Sequence, residues 1–595
     1  MKTLKYIISV FVLAVCLGSC VGDLNVSPID PSMNTADKAL QTEEDYFALM
    51  AQCYAGFSHS GSYGPNGNNN ISGIDGGFSQ YFRGRYHLNG LTTDEAVCGW
   101  NDQTIQDLHA MSWTTTDVFV AAFYYRIFYQ ISAFNEFLRQ VNKATISLPD
   151  APAWKAEVRA LRAFCWLEAI DNYGNVPFAD ETSAVGADLP KQISRKDLFA
   201  YIESECLELL GGNDLEEAGK GIYGRVNKGM VTMVLAKLYL NAEVYTGENR
   251  YQDCADLLAG LNGKYSLHGK YNELFLADNH KCTDEIIWSI EQDGNNVQSY
   301  GVTNYIIFAC TGGDIDTKEI GISSGWGGLR TTPEFYKNFS DNDARKLFFT
   351  EKEQEVVLKR NYETYVADTK KANEEGKKND PKFEEEKIKT YEDWLGEDKK
   401  WQQADIELVS EFTHGYGIMK FKNINSDGTK GKAEGFVDTD FPVFRYADAL
   451  LMKAECAKRG AVNVDGLDVV ATNKGRGIKI ADEDYEAVAE SINLNVENAK
   501  FVTAKKAAVL VTSVAGADIN WGEGNNINDV AADPINAVWV DSDREDSYDL
   551  VTVTGAIKVL EGSNDVPVVV TNADELKAAI KAAPANATEP TIIYL

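Results

Sequence analysis

From Glu43 to Gly260, apolar side chains return every three or four positions, the spacing of one helical face, and polar residues fill the gaps. The first run sits behind Thr42, a good N-cap residue, and continues through Tyr46, Phe47, Leu49, Met50, Cys53, Tyr54 and Phe57. Further amphipathic runs cover Val118 to Val141, Ala153 to Asn172, Ser194 to Leu210 and Val226 to Val244, each closed by Gly, Pro or Asn. Connections this short make successive helices pack as antiparallel pairs. Ala160, Ala163, Ala236 and Ala242 lie among large residues and let paired helices approach closely, in the manner of tetratricopeptide units. After Gly260 the pattern turns loop-rich, with a strand expected at Ile286 to Ile290 and another alternating run at Tyr416 to Phe421. Lys370 to Lys400 is a charged run that reads as a solvated helix or insertion, and Phe444 to Lys458 returns to an amphipathic helix.

The two ends break this pattern. Ile7 to Leu17 is an apolar run behind Lys2 and Lys5, too short to span a bilayer, and it stops at Leu17-Gly18-Ser19-Cys20. It looks like a bacterial lipoprotein signal, with residues 1–19 removed, Cys20 as the lipid attachment point and residues 20–42 as a tether to the outer membrane. From Ala461 to Leu595 there is no Cys or Met, and short β-type runs (Ala507 to Val514, Asp549 to Val553, Val566 to Thr571) are separated by Gly, Asn and Asp. The segment Asn572 to Ile580 resembles the helix that opens a right-handed β-helix domain. The expectation for 461–595 is a β-rich tail of uncertain order, distinct from a 43–460 domain.

The 595 residues, 44% of them hydrophobic, suffice for a large core, and a net charge of −32 with no basic cluster argues against nucleic acid as a partner. Beyond Cys16 and Cys20, eight cysteines are scattered without paired short spacing and read as buried free thiols.

Four motifs carry a resemblance. They are Leu91-Thr92-Thr93-Asp94-Glu95 with Gly99-Trp100-Asn101-Asp102; Ala156-Glu157-Val158-Arg159-Ala160-Leu161-Arg162-Ala163-Phe164 with Asn172-Tyr173-Gly174-Asn175-Val176-Pro177; Gly224-Arg225-Val226-Asn227-Lys228-Gly229; and Asp440-Phe441-Pro442-Val443-Phe444-Arg445-Tyr446-Ala447-Asp448. In this order, behind a lipoprotein signal, they resemble the SusD/RagB outer-membrane nutrient-binding lipoproteins. The later family segments are not found beyond Gly460. The resemblance implies a mainly α, SusD-like tetratricopeptide-type scaffold with long loops that binds oligosaccharide at the cell surface and passes it to a SusC-like TonB-dependent transporter barrel. It implies no catalysis and no cofactor beyond a structural calcium ion.

A glycan site needs flat rings for the C–H faces of sugars and amides, carboxylates or guanidinium groups for their hydroxyls. Trp100 with Asn101, Asp102 and Gln103, Trp326 within a Gly/Ser loop, and Tyr300 and Tyr305 beside Asn304 supply these. The starch-binding branch of the family uses two Trp, one Tyr, an Arg and an amide. By position these are Trp100, Trp326, either Tyr300 or Tyr305, Arg83, and Asn101 or Gln103. The same branch places its calcium ion near Asp278 and Asp438 or Asp440. Trp113 and Trp166 are assigned to the core. Gly321-Ile322-Ser323-Ser324-Gly325 mimics a nucleophile elbow without the strand and helix it needs, and Asn423, Asn425, Asp427 and Glu434 mimic a calcium loop where a hairpin turn at Asp427-Gly428 is favoured. The competing functions are a polysaccharide lyase or hydrolase working through the tail, and a structural lid or adhesin that binds no glycan.

Overall fold

The computed structural model describes residues 36–462 and 464, apart from short gaps (66, 187–188, 342, 380–381, 397–400, 402, 404–405 and 407–408), and beyond them the backbone of strands between 478 and 570. Cys20 and the Asn572 to Ile580 segment lie outside the described residues. Within the stretch assigned to the tether, Ala36–Ala39 forms one helical turn.

The predicted helices are present, and their ends follow the capping chemistry. Helix α1 (Glu43–Ala55) starts at a Thr42 capping box closed by Asp45. Helix α2 (Tyr81–Gly90) is capped by the Gln80 side chain and α3 (Gln103–His109) follows it. The Asp117 carboxylate caps α4 (Val118–Lys143), and Pro152 stands in the first turn of α5 (Ala151–Tyr173). Ser194 caps α6 (Arg195–Gly211), and Asn227 caps α7 (Lys228–Leu240). The expected run to Val244 is interrupted at Asn241, and Ala242–Thr246 forms a separate short helix. Each long helix packs on the next, α4 on α5, α5 on α6, α6 on α7, and α7 on α8 (Tyr251–Ala259). Ala160, Ala163, Ala236 and Ala242 are buried at these contacts, as their spacing predicted.

A two-stranded ribbon fills the centre of this stack. Strand β2 (Ile286–Ile290) is buried along its whole length and pairs antiparallel with β6 (Phe441–Arg445). Trp288 meets Phe57 and Phe164 edge-on at 5.8 and 5.3 Å. The last scaffold helix, Tyr446–Lys458, begins two residues later than expected because Phe444 and Arg445 belong to β6. A second antiparallel sheet runs in the order β1 (Ala96–Cys98), β3 (Leu329–Thr331), β5 (Tyr416–Ile418), β4 (Phe348–Phe349). The charged run lies on a long helix, Glu351–Asn379, and the chain that returns along it, with Asn373 bonded to Glu386 and the Tyr362 hydroxyl donating to the Lys389 carbonyl.

Two core assignments differ in outcome. Trp166 is buried, whereas Trp113 is 43% exposed, because residues 110–117 are the turn between α3 and α4 and present no helix face. The eight described cysteines are all free and buried.

The tail strands pair in a different mode from the scaffold. Ile478–Ala481, Val509–Thr512 and Val538–Val540 form one parallel ladder, and Ile492–Val496, Ala517–Trp521 and Val551–Thr554 another. Lys500–Phe501 pairs with Asn526–Ile527 in a third, so each strand of these ladders pairs with the third one after it, whereas Ile557–Leu560 and Pro567–Val570 pair antiparallel with each other. The ladders have the topology of a parallel solenoid, and its coils precede the segment that resembled a β-helix opening.

Helix α5 is buried on nearly every side yet carries Glu157, Arg162 and Glu168. Charges in such a place need partners. Glu157 accepts from both Arg225 and the Tyr54 hydroxyl, Arg162 bonds Asn135, Glu181 and Glu205, and Glu168 accepts from Arg85 at 2.9 Å. Glu157→Ala strands the Arg225 guanidinium and should lower unfolding free energy by about 3 kcal/mol, whereas Glu136→Ala, at the exposed Arg139 pair, should cost under about 1 kcal/mol. Urea unfolding of the two variants measures this; equal losses would contradict it.

Candidate functional site

The second sheet and helix α9 (Val302–Cys310) bring three distant loops together. The last carbonyls of α9 lack helical partners, and the glycine loop supplies them. Trp326 N–H donates to the Phe308 carbonyl, Gly328 N–H to Ala309, and Gly327 N–H to Thr311 just beyond the helix. Gly99 N–H in turn donates to the Gly328 carbonyl, and the Trp100 indole N–H donates to the Trp326 carbonyl at 3.3 Å. The glycines permit this contact, because a Cβ on Gly328 would lie 2.6 Å from the Trp100 ring and one on Gly325 would lie 2.1 Å from the Thr311 carbonyl oxygen.

The rings stand in a row. Trp100 and Trp326 have centroids 6.5 Å apart with planes tilted by 48°, and Tyr300 lies 6.0 Å beyond Trp326. Phe436, which the sequence pattern did not single out, extends the row 5.6 Å past Tyr300. Trp100, Tyr300, Trp326 and Phe436 are all half-buried. Of the two tyrosines left open by the sequence, Tyr300 is in the row. Tyr305 is fully buried, edge-on to Trp100, and its hydroxyl meets His87 Nε2 at 3.1 Å, so it supports the plate from within the core and does not present a ring to solvent.

Arg83 sits beneath the row. Its guanidinium lies over Tyr305, Phe78 and Trp100, at 4.6, 5.1 and 5.7 Å, and burial pulls its pKa below the ordinary arginine value. Gln80 is a second residue missed from sequence. Its single amide oxygen accepts from Arg83 N–H at 2.8 Å and from Val302 N–H at 3.1 Å, so it fastens the starts of α2 and α9, and with them Arg83 and Tyr300, to one another. Val302 is held at φ +50°, a costly conformation for a β-branched residue, directly behind Tyr300. Asn101 and Gln103 are exposed near the row, with their amides engaged by Gln106 and Asp107.

The calcium candidates take a different form. Asp278 accepts from Ser426 N–H and hydroxyl and pairs with Lys281; Asp438 accepts from Gly294 N–H and Lys432 N–H; Asp440 accepts from Gln292 N–H at 2.7 Å and the Tyr223 hydroxyl at 3.0 Å. Through these donors each of the three carboxylates acts as a clasp between loops. Among the described residues no group of three or more His, Cys, Asp or Glu is placed to hold a metal. The calcium-loop mimic is a turn, with Gly428 at φ +85° and Ile424 bridged to Lys430. The nucleophile-elbow mimic is loop following the αL cap at Gly321.

The SusD family model matches residues 284–475. Over 484 residues, 78% of this chain and 83% of the relative, the sequence is 30% identical to the starch-binding protein SusD of Bacteroides thetaiotaomicron. The chain belongs to the SusD family. Among solved structures, surface glycan-binding protein A from Bacteroides fluxus has a TM-score of 0.50 at 15% identity, covering 73% of this chain and 80% of that one, a likeness of fold alone. In this SusD-family chain no helix of the described residues is long and apolar enough to cross a membrane.

Burial pushes the Asp440 carboxyl up to about 7, and the neighbouring Glu291 and Asp438 act in the same direction. Between about pH 4 and 7 the folded protein then holds a proton that the unfolded chain has released, so this group's contribution to stability rises as pH falls through 7. Asp440→Asn removes that dependence. From pH 8 to about pH 5 the wild type should gain stability relative to the variant, with a slope of at most about 1.4 kcal/mol per pH unit, read from denaturant midpoints. Parallel pH profiles would contradict the assignment.

Proposed function

We propose that this protein captures oligosaccharides at the outer surface of the cell, starch-like chains foremost, and delivers them to a TonB-dependent transporter barrel while held to the outer membrane by lipid on Cys20. The row Trp100–Trp326–Tyr300 is the observation that carries this reading. Its rings are fixed by backbone hydrogen bonds and by Gln80 before any ligand arrives, so little ordering entropy is lost when sugar faces settle on them. The tilt between successive rings favours a chain that curves across the row over a flat ribbon. The name of its relative SusD, a starch-binding protein, supports the same ligand. Nothing in the row is arranged to cut a glycosidic bond, and we read the protein as a carrier, not an enzyme. The parallel ladders of the tail favour a second reading, a polysaccharide-active module, which a sugar-release assay on the same glycans tests.

Trp100→Ala and Trp326→Ala should each weaken binding of maltoheptaose by at least about tenfold, the order expected for loss of one stacked ring. Calorimetric titration measures both. No heat from wild type with any glycan tried, on folded protein, would favour the structural lid.

A further inference from the structure

A second aromatic surface lies on α4 and on the hairpin that precedes α2. Positions 118, 125 and 129 fall on one flank of α4, and Val118, Tyr125 and Tyr129 are exposed there, the tyrosines by 51% and 37%. Tyr125 and Tyr129 are one turn apart, with Cβ atoms about 6 Å from each other, comparable with the width of a sugar ring. Neither is a loose side chain. The Arg126 guanidinium sits 5.4 Å from the Tyr129 ring centre, and the Asn70 amide donates to the Tyr129 hydroxyl at 2.9 Å. Tyr125 packs edge-on against Tyr124, itself edge-on to Tyr173 at 5.2 Å. The hairpin adds exposed amides at Asn68, Asn69 and Asn70 and a further ring, Tyr63, exposed by 73%. Rings with pre-held faces beside exposed amide-bearing side chains are the chemistry that reads sugar C–H faces and hydroxyls.

One stretch of chain connects this surface to the main row. Asn70 is bonded to Tyr129, and seven residues on, Gly77 lies against Arg83 and Tyr300, so that a Cβ there would be 3.0 Å from Arg83 Nη1 and 3.9 Å from the Tyr300 Cβ. Asn69 Nδ2, bonded to the Ile74 carbonyl, stiffens the span between them.

We propose that Tyr125, Tyr129 and Tyr63, with the Asn68 and Asn69 side chains, form a second glycan subsite that takes the continuation of a long chain whose other part lies on the Trp100–Trp326–Tyr300 row. The inference rests on the glycan-binding reading of that row. It makes affinity depend on chain length: a trisaccharide engages the row alone, and a polymer engages both surfaces.

The test compares maltotriose with soluble amylose on the full chain by calorimetry and affinity electrophoresis, using wild type, Trp100→Ala, and the double variant Tyr125→Ala/Tyr129→Ala with Tyr63→Ala as a separate check. All three tyrosines are exposed, and circular dichroism verifies folding. The tyrosine double variant should bind maltotriose as wild type does and amylose about five- to tenfold more weakly. Trp100→Ala should weaken both ligands. Unchanged amylose affinity in the tyrosine variants overturns the subsite and leaves that flank to a protein partner. Loss of trisaccharide binding in them overturns it as well, since the two surfaces would then be one. Failure of wild type to bind either sugar overturns the reading of the row, and this inference with it.

Discussion

The structure depends on what a helix buried on nearly every side does with its charges. Helix α5 packs between α4 and α6, and its Glu157, Arg162 and Glu168 are buried. An unpaired charge in that position costs more than most contacts return, so each one dictates where a neighbour must stand. Glu157 fixes Arg225 at the start of α7 and Tyr54 on α1; Arg162 fixes Asn135 on α4, Glu205 on α6 and the Glu181 loop; Glu168 fixes Arg85 on α2. The ion pairs add a directional constraint on the register of these helices to the one that apolar packing imposes.

The last of those pairs reaches the site. Arg85 is two residues from Arg83, so anchoring α2 to the core places a guanidinium beneath Trp100. Gln80, at the start of the same helix, then passes the constraint to α9, and the free carbonyls at the far end of α9 pass it to the Trp326 loop. A flat ring has no hydrogen-bonding hold on its neighbours beyond an indole N–H or phenol O–H, and a row of rings keeps its spacing only if the backbone beneath each is tied down. Here the backbone is tied at both ends of one nine-residue helix.

Much of this was legible in the sequence. Helix positions, the alanine contacts, the buried Ile286–Ile290 strand and the buried thiols follow from periodicity and residue type, and the aromatic loops from composition. The choice between Tyr300 and Tyr305 was not legible, because it turns on which of two residues lies before the helix start and which one turn inside it. Phe436 was missed for a related reason: it stands alone among polar residues, and only the turn at 425–429 brings it beside Tyr300. Trp113 shows the reverse error, an aromatic read as core because helical patterns flank it, although the turn itself has no inward face. Residue type alone does not show the depth of the charges in the Ala156 to Phe164 motif, and their burial in α5 shows why that helix needs partners for them.

The tail follows another rule. In its longest ladder, Ile492, Ala517 and Val551 share one register row, Asn493, Asp518 and Thr552 the next, Leu494, Ile519 and Val553 the third, and Asn495, Asn520 and Thr554 the fourth. Apolar and polar rows alternate with the period of two that a strand imposes, and residues of like type share a register row across the three strands. Order of this kind is accumulated locally, since each coil answers only to the coils beside it. In the helical scaffold a residue at 157 answers to one at 225, and 168 to 85, so its order is global. The helical periodicity that runs up to the Tyr446–Lys458 helix gives way beyond it to short alternating runs, and the strands described there pair by the local rule.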